Sequence, residues 1–315
     1  MGSFAGHASP GLGFLLIGLW HLFNHIKAYS INPNSYTSHI WFPTPFLRHL
    51  EPLFIMLSCS ISIALELVIV PARTFDADWS IPSGNLRNFE HALISFSLFT
   101  YAAFAIVLDY RRPRGWEGQT HLLAAAAFCQ ELLVFYFHSA DHAGVEGQYH
   151  FLFQTLVVVS LATTLMGITF STSFLVSFIR SVSLFFQGLW LVVMGYMLWT
   201  PKMVPKGCGL DMQGGHLTVS CASHGALSRA KSLVNILFGW CLIWVAAGSV
   251  VLFLVLHRKY EKRVEYYRCL DYAGGVHDDD DADQEQHHQR FVEMGKVGLP
   301  LMKVDRDVFI PHDPY

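Results

Sequence analysis

Seven stretches of this chain are apolar for about 20 residues each, the length an α-helix needs to cross the hydrocarbon of a bilayer. They cover residues 11–28, 53–70, 90–109, 120–139, 150–170, 174–199 and 233–257. Lipid offers no hydrogen-bond partners to a backbone, so each stretch reads as a helix and the fold class as all-α: a polytopic seven-transmembrane-helix bundle. Charge content agrees. Charged residues make up 14% of the chain, against about 25% in a soluble domain. Net charge is −3, and the acid concentrates in the tail "HDDDDADQEQHHQR", so nothing points to nucleic acid as a partner. The bilayer is the expected environment.

Seven spans put the termini on opposite sides, and basic residues choose between the two orientations. Lys27, Arg48, the run "RRPR" at Arg111–Arg114 and "HRKYEKR" after the last span all fall on the side of the C-terminus. Arg73, Arg87, Lys202, Lys206, Arg229 and Lys231 are scattered over the other side. The expectation is an N-terminus outside or lumenal and a C-terminus in the cytosol, in the secretory pathway or plasma membrane. No Lys or Arg precedes Lys27, so the first span reads as retained rather than as a signal peptide. Gly6 stands where a myristoylation pattern wants Ser or Thr. Residues 1–268 read as the membrane domain and 269–315 as a disordered acidic cytosolic tail, with Cys269 open to palmitoylation behind its basic segment.

Cys208 and Cys221 lie in the loop before the last span, on the expected outer face. An oxidising compartment favours a disulfide between them; a small zinc site with His216 and His224 is the rival. Cys59, Cys129 and Cys241 fall within spans as small apolar packers.

Ionisable side chains within spans cost enough to demand a reason. They sort into two levels. The outer level gathers His7, Glu66, Glu90, His91, His138, Asp141, His142, Glu146 and His150; the inner one His25, His49, Glu51 and His121, with His21 a little deeper. Glu131, His138 and His142 are spaced seven and four apart and share a helix face if the fourth helix extends that far. Two imidazoles at i and i+4 can hold one metal, and with His150, His91 and His7 at the same depth the donor set suits zinc or non-haem iron. Glu131 would lie below as general base or supporting carboxylate. The other reading is histidines at helix ends, satisfied by water and headgroups. Membrane cytochromes, which hold haem between paired histidines in each leaflet, are a further architecture that two levels evoke.

The stretches "GHASPGLGFLLIGLW", "EHALISFSLF" and "ELLVFYFH", continuing to His150, resemble the transmembrane protein 45 family, whose plant members are labelled viral-response proteins. The resemblance covers the seven-span region. It implies a multi-pass helical membrane protein and singles out His7, His91, Glu131, His138 and His150, with Glu146 where animal members carry an acid. His142 departs from the family spacing, which is closer to His-x-His. The family brings no reaction with it.

Three functions fit these residues. One is a metal-dependent membrane enzyme acting on a lipid-like substrate, with His7, His91, His138 and His150 on a divalent metal and Glu131 as base. Another is a proton-coupled transporter or channel-like protein, with Glu131, Gln130 and Gln187 lining a polar path. The third is a non-catalytic scaffold in stress or pathogen response, held to anionic lipid by Arg258–Arg263 and recruiting partners through its tail.

Overall fold

The computed structural model describes residues 4–71, 73–141, 144–213 and 216–274, with side chains described except at 138–141, 213, 216–217 and 267–274. The acidic tail, His142 and the His138 side chain therefore lie outside the description. Seven long helices occur among the described residues: α1 Phe4–Ile31, α2 Leu50–Ala64, α3 Leu86–Arg111, α4 Trp116–Asp141, α5 Val145–Thr169, α6 Phe174–Trp199 and α7 His224–Gly274. A π-helical turn, Leu65–Ile69, prolongs α2 and carries the buried Glu66. The compact unit ends at Lys262; a second begins at Arg263.

Six helices, α2 to α7, are long and apolar enough to cross a membrane. At 28 residues α1 is long enough as well, about 42 Å. It falls short on composition, because His7, His21, Asn24, His25 and Lys27 dilute its apolar residues. The expected limits of the sixth span coincide with α6. The others begin ahead of the apolar runs, where polar side chains open each helix. An uninterrupted helical fold does not hold between α6 and α7. Cys208–Gln213 and His216–Cys221 form an antiparallel hairpin, β1 and β2. Cys208 and Cys221 close its open end as a disulfide.

The helices pack in the order α2, α3, α4, α5, α6, α1. The largest apolar cluster centres on Trp190, Phe153, Phe186 and Met194. Trp190 donates its indole N–H to the Tyr149 carbonyl at 3.0 Å, so its polar atom is satisfied inside the core. On the other side, Phe238 of α7 stacks on Phe186. Asn235 Oδ1 accepts from Gln148 Nε2 at 2.7 Å. The remaining apolar surface, such as Leu242, Trp244 and Val251 on α7, faces outward, as it should where the solvent is hydrocarbon.

The closest contact is between α1 and α6. Gly11 on α1 meets Gly188 on α6, while Gly18 packs on Phe185 of α6 and Gly195 on Phe4 and His7 of α1. A Cβ on Gly18 would overlap the Phe185 amide nitrogen, and one on Gly188 would overlap the Leu15 amide nitrogen. A Cβ on Gly11 would sit 2.9 Å from the Gly188 carbonyl oxygen. Lipid gives apolar side chains no hydrophobic reason to associate, so close backbone packing through small residues supplies the attraction.

This contact predicts that Gly18→Ala and Gly188→Ala each destabilise the purified protein by about 1–3 kcal/mol through overpacking. Gly13→Ala, where a Cβ meets nothing within 4 Å, serves as the control. Thermal unfolding in detergent distinguishes them; equal midpoints for all three would remove the close-packing argument.

Candidate functional site

Buried polar side chains collect at both ends of α1. At one end are His7, His150 and Glu146. The His7 and His150 rings meet edge to face, centroids 5.8 Å apart, and His7 also packs on Trp199 at 4.6 Å. His150 Nδ1 donates to the Glu146 carbonyl at 3.0 Å, which leaves Nε2 as the ring atom facing away from its own helix. Phe135 stacks on His150 from α4. Across the bundle, His91 Nδ1 lies 3.8 Å from Glu66 Oε1. Asn88 donates to the Glu66 backbone carbonyl, a group that the π-helical turn leaves available.

The sequence-expected residues are thus brought together in part: His7 with His150, and His91 with Glu66. Glu131 is 1% exposed, one turn along α4 from Phe135, with Oε2 lacking a hydrogen-bond partner. Gln130 is only half-buried. Among the described residues, no three His, Cys, Asp or Glu side chains converge as a metal site would require. His138 sits near the C-terminal end of α4, close in sequence to the turn that opens α5 at Gly144, but its side chain is outside the description, as is His142.

The other end is more completely built. Glu51, at the start of α2, accepts from three directions: His21 Nε2 at 2.7 Å, the Trp20 indole at 3.1 Å and the Phe42 amide at 2.9 Å. The connection between α1 and α2 folds back into the bundle and buries Tyr36, Ser38, Ile40, Trp41 and Phe42. Tyr36 pairs with His25 Nδ1 at 2.7 Å, and burial pushes its phenol up to about 12, so it stays protonated near neutral pH. His25 Nε2 faces Arg180 Nη2 at 3.4 Å. A guanidinium can only donate, so Nε2 is the accepting nitrogen, and the His25 proton belongs on Nδ1, donated to Tyr36. Arg180 Nη2 also donates to the His39 carbonyl at 2.6 Å. His21 and His25, two of the polar residues the sequence left unexplained, therefore turn inward to protein partners, Glu51 and Tyr36.

A seam of hydroxyl and amide groups runs between the two ends. On α5, His150, Gln154, Ser160, Thr164 and Gly167 share one face; on α6, Ser177, Arg180, Ser183 and Gln187 face it. Gln187 donates to Ser160 at 2.6 Å, Ser160 to Ser183 at 3.0 Å, and Ser177 to Ser38 at 2.7 Å. Gln187 Oε1 and Thr164 Oγ1 have no partner. Val157, Leu184 and Trp190 interrupt the seam with apolar packing.

Arg180, His121 and the segment 36–42 did not stand out as a site in the sequence. The usable signal was Arg180 itself, a guanidinium at the middle of an otherwise apolar span. Nothing in periodicity reveals that a polar connection folds back to meet it.

A family model described as a family of unknown function, DUF716, matches residues 117–254. The match takes in Glu131, His138, His150 and Arg180, and leaves α1 to α3 outside it.

Glu51→Ala would strand three donors, two of them near the base of α1. The expected cost is about 3–5 kcal/mol, the range for removing one partner from a buried pair. Glu51→Gln, which keeps acceptor oxygen, costs less. Thermal unfolding measures both, and limited proteolysis of the 32–49 connection should accelerate in the alanine variant.

Proposed function

We propose that this chain is a multi-pass membrane protein of the transmembrane protein 45 type that couples proton movement to passage of a solute through its bundle. The single observation behind this reading is the α5–α6 seam, a file of buried hydroxyl and amide groups leading from His150 and Gln154 towards Ser177 and Arg180. Unpaired polar groups in a membrane core are costly, and Gln187 Oε1 and Thr164 Oγ1 along this seam have no partner in the protein. Glu131 and His150 are the proton-carrying groups beside one end. The family assignment is supported by the DUF716 match together with the resembling stretches around His7, His91 and Glu131. In this reading α1 is the seventh span, its polar residues turned into the bundle. The N-terminus lies outside or in a lumen and the C-terminus in the cytosol, supported by the basic clusters at Arg111–Arg114 and Arg258–Arg263.

The metal-dependent enzyme is retained as a second reading because the His7 and His150 rings adjoin. With His91 and His138 they would supply nitrogen donors for zinc or iron, and Glu131 a base against a lipid-like substrate.

Reconstitution separates the two. The carrier reading expects pH-gradient-dependent flux in liposomes that Glu131→Gln abolishes and His91→Ala leaves measurable. The enzyme reading expects about one equivalent of zinc or iron in the purified protein, lost together in His7→Ala and His150→Ala. Flux indifferent to the gradient would sink the first, and a metal-free, fully folded protein the second.

A further inference from the structure

An open groove of about 410 Å³ lies between α1 and α7, lined by Leu16, Leu19, Trp20, Phe23 and Leu252. Its volume falls in the range of about 300–1,000 Å³ that ligand clefts occupy. Leu16 is 59% exposed and Leu19 47%, so the groove opens outward, to the side where hydrocarbon is the solvent. The one polar side-chain atom of the lining is the Trp20 indole nitrogen, and its N–H is committed to Glu51 Oε2 at 3.1 Å. The groove therefore offers an occupant apolar surface and no hydrogen bond.

Beyond one end of the groove the surface is basic. Phe23 packs edge to face on Tyr260 of α7, centroids 6.3 Å apart. Two ammonium groups gather around the same Tyr260 ring, Lys27 Nζ at 6.0 Å and Lys259 Nζ at 5.9 Å from its centroid. Both lysines are exposed. Among the described residues neither has a carboxylate partner. The neighbouring acid, Glu261, lies against His257 at 3.9 Å. Lys27 follows Trp20 by seven residues, and Lys259 follows Leu252 by seven. Both cations therefore stand about 10 Å past those lining residues along their helices. From Leu16 to Lys27 is eleven residues, about 16 Å of helix. That matches the hydrocarbon depth of one leaflet, half of about 30 Å.

We propose that the α1–α7 groove binds one anionic phospholipid of the bilayer, with an acyl chain along Leu16, Trp20, Phe23 and Leu252 and its headgroup held by Lys27 and Lys259. Lysine stems are flexible and carry three donors each, so both ammonium groups reach one headgroup. Two like charges around one ring repel, and an anion that accepts from both relieves the repulsion. A zwitterionic lipid fills the groove equally well but brings a cation beside the lysines, so the site prefers a headgroup with net negative charge. A basic juxtamembrane segment alone attracts anionic lipid without fixing its number; the groove adds a slot for a chain and makes the binding stoichiometric. The site rests on α1 and α7 being membrane spans and not on what the bundle carries.

The test places the full chain in nanodiscs of equal parts phosphatidylcholine and phosphatidylglycerol and counts the lipids it retains by native mass spectrometry. The expected result is one retained phosphatidylglycerol, preferred over phosphatidylcholine by about tenfold. Lys27→Gln combined with Lys259→Gln removes the preference. Arg111→Gln combined with Arg114→Gln, at exposed basic positions outside the groove, keeps it. Leu16→Trp fills the groove from an exposed position, where the fold tolerates it, and lowers retention by a similar factor. An unchanged preference in the lysine pair, or unchanged retention in Leu16→Trp, overturns the proposal. A dimer without bound phosphatidylglycerol that Leu16→Trp dissociates identifies a second copy of the chain as the occupant and overturns it too. A chain that does not enter nanodiscs overturns the membrane reading together with the site, whereas a chain that enters without lipid preference overturns the site alone.

Discussion

The close approach of α1 to α6 governs the rest of the bundle. Both buried clusters draw residues from these two helices: His7 from α1 beside Trp199 from α6 at one end, His25 from α1 beside Arg180 from α6 at the other. Four glycines set the separation. A side chain at Gly18 or Gly188 would hold the backbones apart by roughly the width of a methyl. The 3.4 Å contact between His25 and Arg180 would then open. In a membrane, packing of this kind is a leading source of attraction between helices. The glycines thus serve stability and site geometry through the same contact.

The second constraint is the connection between α1 and α2. Non-helical backbone survives beside a bilayer only when protein satisfies it, and this segment is satisfied at each point where it enters. The Ser38 amide donates to the Ser171 carbonyl, the His39 carbonyl accepts from Arg180, and the Phe42 amide donates to Glu51. Its far end is fixed by Arg48, whose Nε and Nη2 grip the two Asp109 oxygens at 2.8 and 2.9 Å. That carboxylate holds the Arg48 guanidinium above its ordinary pKa. The Arg48 side chain is half exposed, so the pair acts more through bidentate geometry than through raw charge energy. Arg180 and Glu51 thus fix the fold of the segment while the segment covers them.

Hydrophobic length made the spans legible, and α6 most of all, because apolar residues fill it to both ends. The same measure undervalues α1, whose polar residues belong to the interior. It also passes over the hairpin at 208–221, whose strands alternate apolar and polar residues and pair Cys208, Leu210 and Met212 with Cys221, Val219 and Leu217. For buried polar contacts, costly ionisable residues were a usable signal, and it led to His7 beside His150 and to His91 beside Glu66. It gave too little weight to the other end. His21, His25 and His121 looked like interfacial histidines, because the groups that enclose them come from a connection and from Arg180, and their convergence is tertiary. Glu51 stood near a predicted helix start, with nothing in the sequence to show that Trp20 and Phe42 would converge on it.

The low apolar content of α1 follows from its position. A helix that contributes to polar clusters at both ends of a bundle cannot present a lipid-like composition. The structure accommodates this by turning His7, His21 and His25 inward, all buried, while Leu12, Leu16 and Leu19 stay exposed on the opposite side. His7 packs on Trp199, His21 pairs with Glu51, and His25 pairs with Tyr36 and Arg180, each partner on a different element from α1. Isolated from those partners, α1 would be a poor membrane span. Its burial is tied to packing against α2 and α6, so a substitution that breaks Glu51 or Arg180 acts on how α1 joins the bundle as well as on the cluster it helps to build.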